Sequence, residues 1–189
     1  MPTIKEQKLL YHLTSLNNIG SILDNGLQPR AGLQEFHDVA DAEILGGRGE
    51  HGLENYVPFH WFSRNPFDGR VQKDRPNEEF VLITVRRALA EGNSWKILPK
   101  HPLARQEFRF YDYQEGFELV NWDLMQERDY HDSDCKSVCM AECLSPEPVS
   151  PSGFFKLYVP NETVRDKVLK EVSSRNLALD VVVNRGMFC

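Results

Sequence analysis

The stretch "EFVLITVRR", residues 79–87, constrains the fold more than any other part of the chain. A strand covered on one face alternates apolar and polar positions, whereas a nearly continuous apolar run belongs to a strand buried on both faces. Phe80 to Val85 therefore predicts a central strand with packed layers above and below it. Such a strand needs neighbours, and the chain supplies them. "LLYHLT" (9–14), "YVPFHWF" (56–62), "EFRFY" (107–111), "MAECLS" (140–145), "FFKLYV" (154–159) and "LALDVVVN" (177–184) have strand character. Pro58 marks an edge or a bulge, because proline has no N–H to give to a ladder.

Two helices are legible. In "SLNNIGSILDNGL", Leu16, Ile19 and Leu23 recur at helical spacing, Ser15 or Thr14 can cap the start, and Gly26 can end it. In "NETVRDKVLKEVSS", Val164, Val168 and Val172 form one stripe behind the cap residue Asn161. Residues 28–55 are polar and glycine-containing, a loop with a short helix expected at "FHDVADAEI". Residues 112–139 read as irregular and charge-rich. Strands outnumber helices and the order is mixed rather than strictly βαβ, which predicts an α+β class and one domain over residues 1–189. A chain of 189 residues with 41% hydrophobic content can build a substantial core.

The formal net charge of −6 argues against broad, non-specific nucleic-acid binding but leaves room for a local basic cleft. No apolar run is long enough to cross a bilayer and no signal peptide is evident, so no membrane association and a cytoplasmic location are expected. Cys135, Cys139 and Cys143 are spaced C-x3-C-x3-C, and Cys189 stands apart. That spacing matches no common zinc site, and although His131 lies four residues before Cys135, free thiols are expected and no metal.

Three constellations can carry chemistry. In "YHLT", His12 and Thr14 lie two apart and share a strand face, where an imidazole and a hydroxyl can clamp a ribose or an amide; a strand-end histidine in a structural role is the blander alternative. "YVPFHWFSRNPFDGRV" gathers aromatics beside Arg64 and Arg70, which suits either a core strand or a stacking wall for a ring-bearing ligand. "GGRGEHG" has the wrong spacing for a phosphate loop. The third is Glu142. On a strand it shares a face with Met140 and Leu144, so a carboxylate sits on the more apolar side, and must be paired, protonated or turned toward a working cavity. Trp122, Arg128, Tyr130 and His131 lie upstream of it.

Taken in order, "YHLTSLNNIGSILDNGL", "YVPFHWFSRNPF", "FYDYQEGFELVNWDLMQERDYHD" and "MAECLSP" resemble the DarT family over residues 9–185. These are the toxin enzymes of DarT–DarG toxin–antitoxin modules, which ADP-ribosylate bases in DNA. The resemblance implies an ADP-ribosyltransferase-like fold: two small, mostly antiparallel sheets around an NAD cleft, with flanking helices. It implies NAD as co-substrate, held by His12, Thr14 and Asn18, with Tyr56, Phe59 and Arg64 along the aromatic strand. It gives Glu142 the place of the catalytic glutamate. The family's arginine before the "YVPF" strand falls on Arg48, with Arg64 the alternative. The segment from Arg128 to Met140 would present the target base, with Trp122, Arg128, Tyr130 and His131 as contacts and Arg105 and Arg109 on the backbone. A single-stranded DNA substrate and a macrodomain antitoxin, DarG, are the implied partners. The departure from the family's usual aromatic residue at His60 has no role assigned by the resemblance. Modification of RNA or protein, or a module that binds NAD or nucleic acid without turnover, are the competing functions.

Overall fold

The computed structural model describes residues 2–33, 52–101 and 109–189. Its strands are β1 (Leu9–Ser15), β2 (Val57–His60), β3 (Phe80–Arg86), β4 (Lys96–Leu98), β5 (Tyr111–Asp112), β6 (Glu142–Ser145), β7 (Phe154–Val159) and β8 (Val181–Val183). They form one sheet in the order β5-β4-β6-β2-β1-β3-β7-β8, antiparallel except for the parallel β7–β8 pair. As its sequence predicts, β3 is internal and is buried from Phe80 to Val85. Thr84, the one polar residue in that run, donates its hydroxyl hydrogen to Lys156 O at 2.8 Å, so burying it leaves no unmet donor.

The helices are α1 (Ile19–Asn25), α2 (Pro66–Asp74), α3 (Arg87–Gly92), α4 (Tyr113–Leu119), α5 (Trp122–Glu127), α6 (Ser133–Cys139) and α7 (Glu162–Ser174). One sheet face carries Leu10, Phe59, Ile83 and Cys143 and packs against Ile19 and Leu23 of α1 and the valine stripe of α7. The opposite face carries Tyr11, Leu13 and Leu82 against Val71 of α2 and Phe188, with a separate patch of Leu53, Leu98 and Leu144.

The two sheets expected from the resemblance are present as two halves of one. The β1–β3 ladder runs from Leu9↔Arg86 to Ser15↔Phe80, and the β2–β6 ladder spans all of both strands. Between the halves, β1 and β2 share only Tyr11↔His60. Pro58 lies at this seam, neither at an edge nor in a bulge. It pairs in register with Leu144 of β6. Lacking an N–H, it cannot continue the ladder toward β1. Its carbonyl instead accepts a 2.7 Å hydrogen bond from Nδ1–H of His12. On the other side of the bridge, the buried Arg87 donates to Leu9 O and Trp61 O, and to Ile4 O and Lys5 O of the N-terminal segment. Side chains on both sides of a single backbone bridge thus hold the seam.

The stretch 112–139 is not irregular; it holds α4, α5 and α6. Each has six or seven residues, under two turns, too short to write a periodic stripe into the sequence. Their caps carried the signal: Asn121 Oδ1 accepts from Leu124 N at 3.1 Å, and Asp132 Oδ1 from Cys135 N at 2.7 Å. Of the strand expected at 107–111, Tyr111 is in strand conformation and joins Asp112 in β5, while 107 and 108 and the helix expected at "FHDVADAEI" lie outside the described residues.

Candidate active site

Glu142 opens β6, directly after the turn that follows α6. Only 5% of it is exposed. The expected alternation holds from Glu142 onward: Ala141 and Cys143 are in the main core, and Leu144 lies on the face of Glu142, whereas Met140 belongs to the end of α6. The register builds a row across four strands on that face, Leu98–Glu142–His60–Tyr11. Leu53, Leu98 and Leu144 pack together beside the carboxylate. An apolar wall lowers the local dielectric, so a carboxylate there acts strongly on any cationic centre placed before it.

His12 and Thr14 share one face of β1, and Asn18 joins Thr14 there. Asn18 Nδ2 donates to Thr14 Oγ1 at 3.3 Å, and its position follows from the 3₁₀ turn Leu16–Asn18 that Ser15 caps. Nδ1 of His12 is committed to Pro58 O, which fixes the tautomer and the orientation of the ring. Phe59, with no exposed surface, tilts against His12 at 5.6 Å between ring centroids and stacks on Trp95 at 5.1 Å. It backs the imidazole rather than offering a face of its own. Tyr56 is half-buried and stands 4.9 Å from Phe110, next to the leucine patch on the Glu142 side.

Arg64 sits on the turn between β2 and α2 in the left-handed conformation, φ 60°. A local network holds it there. Asn65 caps α2 by accepting from Asp68 N at 2.9 Å, Pro66 occupies the first turn, and Asp68 Oδ2 accepts from Arg64 N at 3.0 Å. The string "RNP" is therefore a helix-start device. The hydroxyl of Tyr130 donates to Arg64 O at 3.1 Å, which joins the segment before β6 to this turn. Arg128, also left-handed at φ 53°, lies 4.6 Å over the Phe62 ring. Arg64, Arg128 and His131 are exposed, and burial pushes the Tyr130 hydroxyl up to about 12.

Two expected contacts are placed elsewhere. Trp122 is buried in an aromatic box, edge-on to Trp61 at 5.0 Å, and its indole N–H is donated to Phe117 O at 2.8 Å. It has neither a free ring face nor a free donor for a base. Arg109 is exposed near the far edge of the sheet, over Tyr111 at 5.0 Å. Arg48 and Arg105 lie outside the described residues. Most of the segment 128–140 is helix α6, not loop.

Sequence reasoning missed Asp68, which is 1% exposed. Burial pushes its carboxyl up to about 7, against the lowering effect of the Arg64 N–H. It also missed Arg87, whose guanidinium burial lowers to about 10. Asp68 was visible as the third residue after a capping asparagine; nothing in the sequence marks Arg87. Cys135 and Cys139, one turn apart on α6, donate their thiols to Leu124 O and Met125 O at the end of α5. They tie two helices together. Among the described residues no group of His, Cys, Asp and Glu is arranged to hold a metal ion.

Residues 11–189 match the family described as DarT, ssDNA thymidine ADP-ribosyltransferase. The chain belongs to the DarT family. A DNA ADP-ribosyl transferase–DNA ADP-ribosyl glycohydrolase fusion protein of Thermosipho africanus is 24% identical over 182 residues, covering 89% of this chain and 46% of that protein. The chain thus spans about half the length of the curated DarT relative it matches. Among solved structures, Thermus sp. 2.9 DarT in complex with ADP-ribosylated ssDNA superposes with a TM-score of 0.84 at 18% identity, over 100% of this chain and 99% of that one. The same protein in complex with NAD+ gives 0.79 at 15%, over 97% and 98%. Thermosipho africanus DarTG in complex with ADP-ribose gives 0.77 at 22%, over 96% of this chain and 51% of that one. The α+β architecture is that of the DarT structures.

Proposed function

We propose that this chain transfers ADP-ribose from NAD to thymine in single-stranded DNA, with Glu142 as the catalytic carboxylate. The observation that carries the reading is the placement of Glu142, a buried carboxylate at the head of β6, one strand from the seam, in a chain of the DarT family. DarT proteins solved with NAD+ and with ADP-ribosylated ssDNA share its fold.

The residues fit the co-substrate. His12 and the Thr14–Asn18 pair carry hydrogen-bonding groups of the kind that hold a ribose or an amide. Glu142 would stabilise the positive charge that develops at the anomeric carbon as the bond to nicotinamide breaks. The departing electron pair neutralises the pyridinium, so nicotinamide needs no acid. Thymidine has a single ring N–H. Its nitrogen forms the new bond, and Glu142 accepts the proton. That N–H is hidden in a duplex, which accounts for a single-stranded substrate. Arg64 and Arg128 are exposed cations on turns that touch, suited to orienting a strand.

NAD and DNA meet in the cytoplasm, and we place the protein there. Among the described residues no helix is long and apolar enough to cross a membrane. A transferase acting on DNA needs an opposing hydrolase, and the Thermosipho relative is named as a fusion with a DNA ADP-ribosyl glycohydrolase; a DarG-type glycohydrolase is the corresponding partner here.

The test is incubation with labelled NAD and short single strands that each offer one base, beside duplex DNA, RNA and cell lysate. Label should enter thymidine-containing single strands alone. Label in RNA or protein only would replace the DNA reading with one of its competitors, and NAD bound without any transfer would make the chain a binding module.

A further inference from the structure

We propose that His60 is the positioning partner of Glu142: its imidazole orients the carboxylate and takes over the proton that Glu142 collects. The inference rests on Glu142 being the carboxylate of the proposed transfer.

The geometry is set by the backbone. His60 and Glu142 are directly opposed in the β2–β6 ladder, so their side chains leave the same sheet face with Cβ atoms about 5 Å apart. They are 6% and 5% exposed. The Phe67 ring of α2 stacks on the imidazole at 5.5 Å and 28°, which fixes the plane of the ring beside the carboxylate. A base that is buried when it accepts a proton must pass it on before the next turnover, and an imidazole across the ladder is a chemically suited acceptor, which gives the proton to water as the products leave and returns to its neutral form.

The other groups around His60 are accounted for. Tyr11, its partner on β1, is pushed up by burial and stays neutral through the working range. Arg87 is committed to main-chain carbonyls, among them that of the adjacent Trp61. From α2 and its preceding turn come the Phe67 ring, Arg64 and Arg70, which are exposed, and Asp68, which holds the Arg64 N–H. Arg128 lies over Phe62. Asp68 titrates near the same pH as an imidazole and needs its own control.

The experiment compares His60→Phe, which keeps a ring against Phe67, with His60→Gln, which keeps a donor but cannot accept a proton, and with Asp68→Asn. Melting temperature, KM for NAD and kcat are measured across pH, together with the titration of the His60 resonance in protein carrying labelled histidine, with and without Glu142→Gln. The expected result is a folded His60→Phe with kcat down about tenfold or more and KM for NAD little changed. In His60→Gln part of kcat should return and the acid limb should move to lower pH, while Asp68→Asn leaves that limb in place. The His60 resonance should titrate at lower pH in Glu142→Gln, since a neighbouring anion has gone. Wild-type kcat at every pH in His60→Phe, an acid limb that follows Asp68 instead, or an identical His60 titration in Glu142→Gln would each overturn the proposal. The resonance titration needs no acceptor. If wild-type protein labels no DNA while the His60–Glu142 coupling is seen, the DNA reading fails and the pairing stands.

Discussion

Strand β1 has two unlike edges. Toward β3 it is laddered along its whole length, seven residues in register. Toward β2 it has one backbone pair, flanked by the His12 bond to Pro58 O and by the carbonyls that Arg87 gathers. The first edge spends every polar backbone group on cohesion. The second leaves the strands apart and lets side chains substitute for the ladder. A side chain that holds two strands together can also face a ligand, which a ladder hydrogen bond cannot. On the proposed function, the contrast separates the part of the sheet that supports from the part that would work.

The contrast can be tested from both sides. The largest effect is expected beside the seam. Glu142→Gln keeps size and hydrogen bonding and removes the charge, so single-turnover transfer should fall by about 10²-fold or more with an unchanged melting temperature. Near-normal turnover would remove Glu142 from the mechanism. On the laddered side, Ile83→Ala cuts into a residue with no exposed surface and should cost about 2–5 kcal/mol in denaturant unfolding, with NAD affinity intact in the protein that folds. Arg87→Leu strands the carbonyls of Ile4, Lys5, Leu9 and Trp61 in the interior and should cost about 2–4 kcal/mol by the same measurement.

The Asp68 turn should show itself through pH. Its carboxyl binds a proton more tightly in the folded state, up to about 7, than in the unfolded chain, near the ordinary value of roughly 4. Between those values the folded state holds a proton that the unfolded state has lost, so stability falls as pH rises through the window and levels off above it. Asp68→Asn should flatten the melting temperature against pH over that range; an unchanged slope would assign the pH dependence elsewhere. The smallest effect is expected at His12. His12→Ala should weaken NAD binding about tenfold by calorimetry, equivalent to about 1.4 kcal/mol, and lower the melting temperature little. A large loss of stability with unchanged NAD affinity would make the imidazole a structural wedge.

What was legible in the sequence divides along similar lines. The laddered half wrote itself plainly: Phe80 to Val85 could be nothing but a buried strand, and the valine stripe of α7 and the Asn161 cap both hold, Asn161 Oδ1 accepting from Val164 N at 3.0 Å. The shared face of His12 and Thr14, and the apolar face of Glu142, follow from a period of two and needed no tertiary information. The seam was hidden because it depends on pairing across 46 residues between His12 and Pro58, which no local pattern records. Trp122 shows the opposite failure. An aromatic beside arginines in a charged stretch looks like a stacking platform, yet on α5 its indole turns inward to meet Trp61. Short helices at 113–139 escaped notice because fewer than two turns leave no stripe, though the Asn121 and Asp132 caps of α5 and α6 were there to be read.

The strand order has a consequence in the time domain. Glu142 lies on β6, which is inserted between β4 and β2, and both are made before it. During synthesis β1, β2 and β3 emerge first, and Arg87 follows at once to clasp the seam. At about 5–20 residues per second, roughly 3 to 12 seconds then pass before β6 leaves the ribosome. For that interval the nascent chain can own its seam and its His12 while lacking Glu142. A chain arrested before β6 would therefore lack the carboxylate on which the proposed transfer depends.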